Sequence, residues 1–370
     1  ALSQPFSVMG SIDGDLGGRQ MPGAMAAKFG GSEGSEIAVK RALDWLAKHQ
    51  CADGGWTFDL KSCPSCRGQC ENSGTDDKAR NAATGLALLP FLGAGFTQDE
   101  GEYRQVVDRG IFFLTSRMNR TQQGASFHEP DGRMYSHGIC SIALCEAYAM
   151  TRDRNLAAPA QSALNFIAYA QDPSGGGWRY EPRQSGDTSV VGWQLMALKS
   201  GRMAFLDVND NVFAGAYNFL NTVQADNGAQ YGYADPAMNR KATTAIGLLS
   251  RMYLGWDHDN EALQRGVQKL SEWGPDEKDI YYDYYATQVM RHNDGDLWEA
   301  WNLTMRDYLV SDQESTGHER GSWFFDDNHG RQGGRLYCTA MSTMILEVYY
   351  RHMPIYRMDS TEEDFEFKLD

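Results

Sequence analysis

The sequence predicts an all-α protein built from about six helix hairpins, about twelve helices in all. Three observations carry that prediction. A unit of apolar helix, Gly-aromatic turn and capped apolar helix recurs at roughly 50-residue spacing, the mark of a helical repeat rather than of separate domains. The 39 glycines among 370 residues gather at those turns instead of forming a low-complexity tract. Apolar residues make up 42% of the chain, enough for a large core.

In chain order, residues 1–36 are rich in Gly, Ser and Met and show no helical period until Ile37. They read as a flexible N-terminal tail, loosely docked or reaching to a neighbouring subunit. The repeat domain is expected over 37–356. Its first copy runs from Trp45-Leu46 through the turn Gly54-Gly55-Trp56-Thr57-Phe58 to a helix over 82–92, with a cysteine-rich loop over 51–80 inserted. The second runs from Ile111-Phe112-Phe113-Leu114 through Gly124-Ala125-Ser126-Phe127 to a helix over 136–150. The third copy is the clearest. A helix over 159–170 places Ala163, Leu164, Phe166, Ile167 and Ala170 on its apolar side, and the turn Gly176-Gly177-Trp178 follows. Asp187-Thr188 then stands at the N-cap of a helix over 190–198, where an oxygen can accept from the first free backbone N–H groups. The fourth passes from Tyr217–Leu220 through Tyr231-Gly232-Tyr233 to 242–253, the fifth through Tyr281-Tyr282 to 284–292. The sixth passes through Gly321-Ser322-Trp323-Phe324 to 337–350, and residues 357–370 form an acidic, solvated tail.

Charge narrows the function classes. With 34 basic against 49 acidic residues the net charge is −15, which disfavours nucleic acid and anionic membrane surfaces as partners. No run of 18 apolar residues is present, so no transmembrane helix is expected, and Ala1-Leu2-Ser3 opens without the basic n-region of a signal peptide.

Four cysteines, Cys51, Cys63, Cys66 and Cys70, crowd the inserted loop. They would suit two disulfides, a tetrahedral structural zinc, or free thiols, and in the first two cases would pin a loop that has no helix to order it. The compartment follows the same fork: cell envelope or extracellular with disulfides, cytoplasmic otherwise. Cys140, Cys145 and Cys338 lie on apolar helices and read as small buried hydrophobes. His49, His128, His258, His292, His318, His329 and His352 show no ligand spacing and read as surface or cap residues. Asn119 and Asn302 open glycosylation sequons, a weak signal. No P-loop, dinucleotide fingerprint or nucleophile elbow occurs.

The turns Gly54-Gly55-Trp56, Gly176-Gly177-Trp178 and Gly321-Ser322-Trp323, with Gln50, Gln171, Gln224 and Gln313 just before turns, resemble the "QW" repeat of squalene–hopene cyclases, oxidosqualene cyclases and protein prenyltransferase β-subunits. The likeness spans about residues 38–352 and looks nearest to a bacterial, cyclase-like branch of that repeat. It implies an α/α toroid whose second helices form the inner ring, with their N-termini toward a central cavity. Those N-termini would present Asn81, His137, Asp187 with Thr188, Lys241 beside Arg240, Tyr284 beside Tyr285, and Tyr337 near Arg335. Helix N-termini suit anions and polar ligands, and Asp187 with His137 is the most plausible acid–base pair.

Activity does not carry over with the repeat. The cyclases use Asp-x-Asp-Asp-Thr, whereas here Gln184-Ser185-Gly186-Asp187-Thr188 puts Gly186 at the acid position. The prenyltransferase zinc site needs Asp-x-Cys, and Asp283-Tyr284-Tyr285 has no cysteine. The leading expectation is therefore a non-catalytic binding or self-assembling scaffold, a homo-oligomer with large self-contact whose toroid centre is closed or solvent-filled. The alternatives are a divergent isoprenoid or lipid enzyme and a lyase-like carbohydrate enzyme, with a lipid or carbohydrate ligand respectively.

Overall fold

The computed structural model describes residues 22–238 and 240–351. A short helix α1 (Pro22–Phe29) precedes six helix pairs: α2 (Glu33–Lys48) with α3 (Arg80–Gly93), α4 (Arg104–Arg117) with α5 (Arg133–Thr151), α6 (Arg154–Ala170) with α7 (Thr188–Met203), α8 (Asp210–Val223) with α9 (Lys241–Tyr253), α10 (Glu261–Trp273) with α11 (Ile280–Asn293), and α12 (Gly295–Asp312) with α13 (Asn328–Leu346). A last turn, α14 (Val348–Arg351), follows. Two antiparallel hairpins, β1 (Asn119–Thr121) with β2 (Gly124–Ser126) and β3 (Gln224–Ala225) with β4 (Gln230–Tyr231), take the place of the Gly-Trp turn in the second and fourth pairs. Gln224 opens β3 rather than a turn.

The second helix of each pair packs on the next, and α13 packs back on α3, so the inner helices close a ring. The expected α/α toroid is the fold observed. Burial sorts the two rings. Every residue of α3 from Asn81 to Gly93 is buried, whereas α6 buries only Leu156, Pro159, Ala160, Ala163, Leu164, Phe166, Ile167 and Ala170, one stripe at helical spacing.

The Gln and Trp of the turns do one job three times. The indole N–H of Trp56, Trp178 and Trp323 donates to the carbonyls of Leu46, Ile167 and Leu309, each at 2.8 Å, fixing the turn under its own outer helix. Gln50 Nε2 donates to Gly54 O and to Val106 O on the next outer helix, both at 2.8 Å. Gln171 bridges Gly176 O (2.7 Å) and Val212 O (2.8 Å) in the same way. Gln313 bridges Gly321 O (3.0 Å) and Ala38 O (2.8 Å) on α2, so the sixth repeat is fastened to the first. Gly54, Gly176 and Gly321 have positive φ, and a Cβ on them would collide with the carbonyls of Arg109, Gly215 and Arg41 on those same neighbouring helices. Glycine is required there by both conformation and close approach.

The end of the ring where the inner helices finish is filled. Arg351 on α14 donates to both carboxylate oxygens of Glu146 (3.1 Å each) and to Leu89 O (2.5 Å). Helix α14 packs on α1, and Trp298 and Asn302 donate to the carbonyls of Phe29 (3.3 Å) and Gly30 (2.9 Å). The stretch read as a tail therefore contains the docked helix α1 and the start of α2; residues 1–21 and the acidic tail 357–370 lie outside the described residues. Asn302 is buried, with its Oδ1 accepting from Tyr349, so that sequon is not presented to solvent. Among the described residues no helix is long and apolar enough to cross a membrane.

Candidate functional site

At the other end, where the inner helices begin, lies a cavity of about 550 Å³. Its walls come from the first turns of α3, α5, α11 and α13, from Trp193 on α7, and from the 51–80 loop through Phe58, Asp76 and Ala79. The floor is aromatic. Trp193 stacks on Tyr284 (ring centres 5.7 Å apart, planes 14° apart) and donates its indole N–H to Tyr281 Oη at 3.1 Å. Tyr285 packs edge-on against Tyr281 at 5.2 Å. These rings sit behind one another because the helix start Ile280-Tyr281-Tyr282-Asp283-Tyr284-Tyr285 puts Tyr281 and Tyr285 one turn apart on the same face.

One wall is tied to a buried carboxylate. Tyr135 and Tyr180 line the cavity. Tyr135 Oη meets Ser189 Oγ at 2.7 Å, and Ser189 Oγ donates to Asp187 Oδ1 at 2.5 Å. Tyr180 bonds Tyr233, which donates to Asp187 Oδ2 at 3.2 Å. Asp187 also caps α7 by accepting from Val190 N–H (3.0 Å), as its position predicts. Burial raises its carboxyl pKa, while Ser189, the Val190 N–H, Tyr233 and Arg179 pull the other way. With every donor turned toward it, Asp187 orients two cavity tyrosines from behind the wall.

The rim carries the titratable groups: Asp76, Asp131, Arg133 and His329. Burial, then the charges of Asp131 and Asp77, push the Asp76 carboxyl above the usual carboxylate range, with His329 opposing. Asp131 accepts from Lys78 N–H at 2.9 Å, and the His329 ring lies 4.9 Å from Tyr281. The sequence did hold a signal for the rim. Asp77, Asp131, Asp187, Asp279 and Asp327 each stand one to three residues before an inner helix, and Asp76 adjoins the first of them.

Of the inner-helix starts singled out from the sequence, Tyr337 lines the cavity, while Tyr284 and Tyr285 support its floor. The others are spent elsewhere. Asn81 donates to Phe127 O (3.1 Å) and Thr188 to Gly232 O (2.6 Å). Arg240 is exposed ahead of α9, and Lys241 pairs with Asp276 at 3.2 Å. Arg335 is buried against Ser322 (3.1 Å) and Glu319 (3.3 Å). His137 is not a partner for Asp187: its Nδ1 accepts from Phe127 N–H and its Nε2 donates to Ala163 O, both at 3.2 Å. Burial depresses its pKa to about 3, so the ring is neutral. It does what Thr84, Thr244 and Thr339 do in their repeats, where a hydroxyl accepts from the backbone N–H of Trp56, Tyr231 and Trp323.

Gly186 shows why the cyclase acid is missing. A Cβ there would sit 2.7 Å from Gly177 Cα and 2.8 Å from the Phe219 ring, so no aspartate fits at that position on this backbone.

A second cluster lies in the seam between the first and sixth repeats. His49, at the end of α2, Cys66 and Cys70 in the loop, and His318 before the last turn bring one donor atom each within 4.8 Å of one another. His318 Nδ1 is 3.1 Å from Cys70 Sγ and 3.9 Å from Cys66 Sγ, and His49 Nε2 is 3.4 Å from Cys70 Sγ. His49 and His318 are thus neither surface nor isolated cap residues. The four loop cysteines divide: Cys63 turns to Cys51, to Ser65 Oγ (3.2 Å) and to His49 O (3.4 Å), away from the four-residue cluster. His292, also read as a surface or cap residue, is buried beside Tyr253. Cys140, Cys145 and Cys338 are buried as expected.

No protein-family model and no curated protein matches the sequence. Solved structures do. An α-1,6-mannanase of Salegentibacter, an inactive variant in complex with α-1,6-mannotriose, superposes with a TM-score of 0.60 at 10% identity over 86% of this chain and 99% of that one. A cellobiose 2-epimerase of Bacillus thermoamylovorans gives 0.59 at 12% identity, covering 88% and 99%. A type II terpene cyclase of Scytonema gives 0.55 at 12% identity, covering 85% and 97%. At these identities the chain shares with them its fold, the α/α toroid.

Proposed function

We propose that the protein is an enzyme that holds a carbohydrate in the cavity and acts on it by acid–base chemistry from the rim. The observation that carries this reading is the carboxylate pair Asp76 and Asp131, with His329, set over the aromatic floor of Trp193 and Tyr281. Sugar rings offer apolar faces that stack on indole and phenol, and hydroxyls that carboxylates and imidazole bind. Two carboxyl groups facing one cleft, one serving as acid and the other as base, are the usual tools for protonating one oxygen while activating another. Asp76, raised by burial and by its neighbour's charge, takes the acid role, and Asp131 the base role. The likeness to a mannanase and an epimerase supports the reading only as analogy of fold.

The isoprenoid alternative draws on the aromatic floor, which would stabilise a cation. It lacks an acid for an unactivated alkene: Gly186 occupies that position and both oxygens of Asp187 are accepting. The scaffold reading finds no support, because the centre is neither closed nor featureless but a shaped, polar-rimmed cavity.

The test is a screen of oligosaccharides by quenching of tryptophan fluorescence, followed by product analysis on those that bind. Asp76→Asn should leave Kd within about threefold and lower kcat by about a hundredfold or more. Failure of every sugar to bind, or a purified protein with an isoprenoid in the cavity, would overturn the carbohydrate reading.

A further inference from the structure

We propose that His49, Cys66, Cys70 and His318 bind one structural zinc ion, which staples the first repeat to the sixth. Two thiolates and two imidazoles are a zinc donor set, and four protein ligands leave no open position for catalysis. In a zinc tetrahedron with bonds of about 2.0–2.3 Å the donor atoms stand about 3.3–3.8 Å apart. The spacings here, 3.1, 3.4 and 3.9 Å with all four donors inside 4.8 Å, are close to that without rearrangement of the backbone. Charge balances too. Cys66 and Cys70 would bind as thiolates, releasing two protons to water, and with two neutral imidazoles the bound ion is formally uncharged, as burial demands.

The surroundings are built around these ligands. His49 Nδ1 donates to Trp45 O at 2.7 Å, which turns Nε2 toward the cluster, and the ring stacks on Trp45 at 3.9 Å. A second partner on the far nitrogen is the usual way a ligating imidazole is fixed. The residues following two ligands are bonded to each other: Glu71 N–H, after Cys70, donates to Glu319 Oε1, after His318, at 2.6 Å. Arg335 then clamps both, pairing with Glu319 (3.3 Å) and donating to Glu71 O (3.3 Å). The arginine read from sequence as a cavity residue serves this seam.

Position gives the ion its purpose. The loop that carries Cys66 and Cys70 goes on to wedge Gly74 against Gly334, where α13 kinks with φ of 60°. It then hangs from Gln332 O by the N–H groups of Thr75 (2.9 Å) and Asp76 (3.1 Å). Metal binding therefore orders the wall that presents Asp76 to the cavity. Cys51 and Cys63 are left as a thiol pair outside the coordination sphere.

The experiment uses the full chain, purified without chelator. Elemental analysis should find about one zinc per chain, and X-ray absorption should show two sulfurs at about 2.3 Å and two nitrogens at about 2.0 Å. Cobalt(II) exchanged into the site should give tetrahedral ligand-field bands with thiolate charge transfer. The double variant Cys51→Ser/Cys63→Ser should keep the full zinc content, whereas His318→Ala should lower zinc affinity at least tenfold. Should His318→Ala not fold, the absorption spectrum of the unaltered protein still decides. A four-sulfur shell, a metal-free chain, or a Cys66–Cys70 disulfide seen as a mass deficit would each overturn the proposal.

Discussion

His137 separates a catalytic from a structural reading most sharply. Replacing it with alanine removes a fully buried imidazole, strips Phe127 N–H of its acceptor and takes a second donor from Ala163 C=O, which lies within helix α6. A buried polar group left unpaired costs about 1–3 kcal/mol, and the space vacated adds to that. A loss of about 3–5 kcal/mol is expected for His137→Ala, a large part of the stability of an ordinary domain. His137→Gln can still accept and donate at the two ends, so its loss should be nearer 1 kcal/mol. The pH dependence adds a second reading. The imidazole pKa falls from 6.5 to about 3 on folding, so the folded protein keeps the ring neutral while the unfolded chain protonates it. Its stabilising contribution is fully present above pH 6.5. It erodes by up to about 1.4 kcal/mol per pH unit as pH falls from there toward 3. His137→Gln should flatten the pH dependence by that one proton. Urea unfolding followed by circular dichroism at pH 7, 6 and 5 measures both effects. A His137→Ala protein as stable as the parent, or a His137→Gln protein of unchanged stability but without turnover, would refute the structural assignment.

Other expectations follow from the same geometry. Gln313→Ala should cost about 2–3 kcal/mol for two buried hydrogen bonds, and should speed amide exchange at the α2–α12 seam, whereas Gln171→Ala should destabilise without loosening that seam. Gly186→Asp should lower the urea midpoint by the equivalent of about 1–3 kcal/mol or more of overpacking against Gly177 and Phe219; a variant as stable as the parent would show that the backbone yields easily there. Asp187→Asn should cost about 1–3 kcal/mol and weaken ligand binding in the fluorescence assay, because an amide cannot accept from both Ser189 and Tyr233, the hydroxyls that hold Tyr135 and Tyr180. Trp193→Ala should raise Kd for a bound sugar about tenfold through loss of about 1.4 kcal/mol of stacking, with calorimetry as the check.

Much of this architecture was legible because its determinants are local. Gly176 and Trp178 mark a turn wherever they stand, and Asp187 announces a helix start by its own hydrogen bond to Val190 N–H. What escaped was whatever ring closure alone brings together. His318 comes from the opposite end of the repeat array from His49, Cys66 and Cys70, so no spacing rule pairs it with them. The same closure takes Arg335 from the cavity to the seam. His137 misled for a different reason: its position at an inner-helix start was right, but in this fold that position accepts a turn N–H, a task threonine performs in three other repeats. Asp76 and Asp131 went unweighed because they precede the helices whose first residues were taken as the ring.

Closure and chemistry meet in one loop. Between the other repeats the inner helices follow from short turns or hairpins, and glutamine bridges of the Gln50 and Gln171 kind bind one outer helix to the next. Between the sixth repeat and the first, Gln313 makes that same bridge, yet the chain adds a loop of its own. That loop contributes Cys66 and Cys70 to the seam and Phe58 and Asp76 to the cavity, and its Gly74 packs against Gly334, where α13 kinks between the lining residues Gln332 and Tyr337. A perturbation of the cysteine and histidine cluster should consequently reach Asp76 through the short stretch of backbone from Cys70 to Asp76 anchored at Gln332 O, whereas one at the buried Glu146–Arg351 end should not. Zinc removal that lowers protease resistance of the loop and turnover together, while Arg351 substitutions affect stability alone, is the pattern this coupling requires.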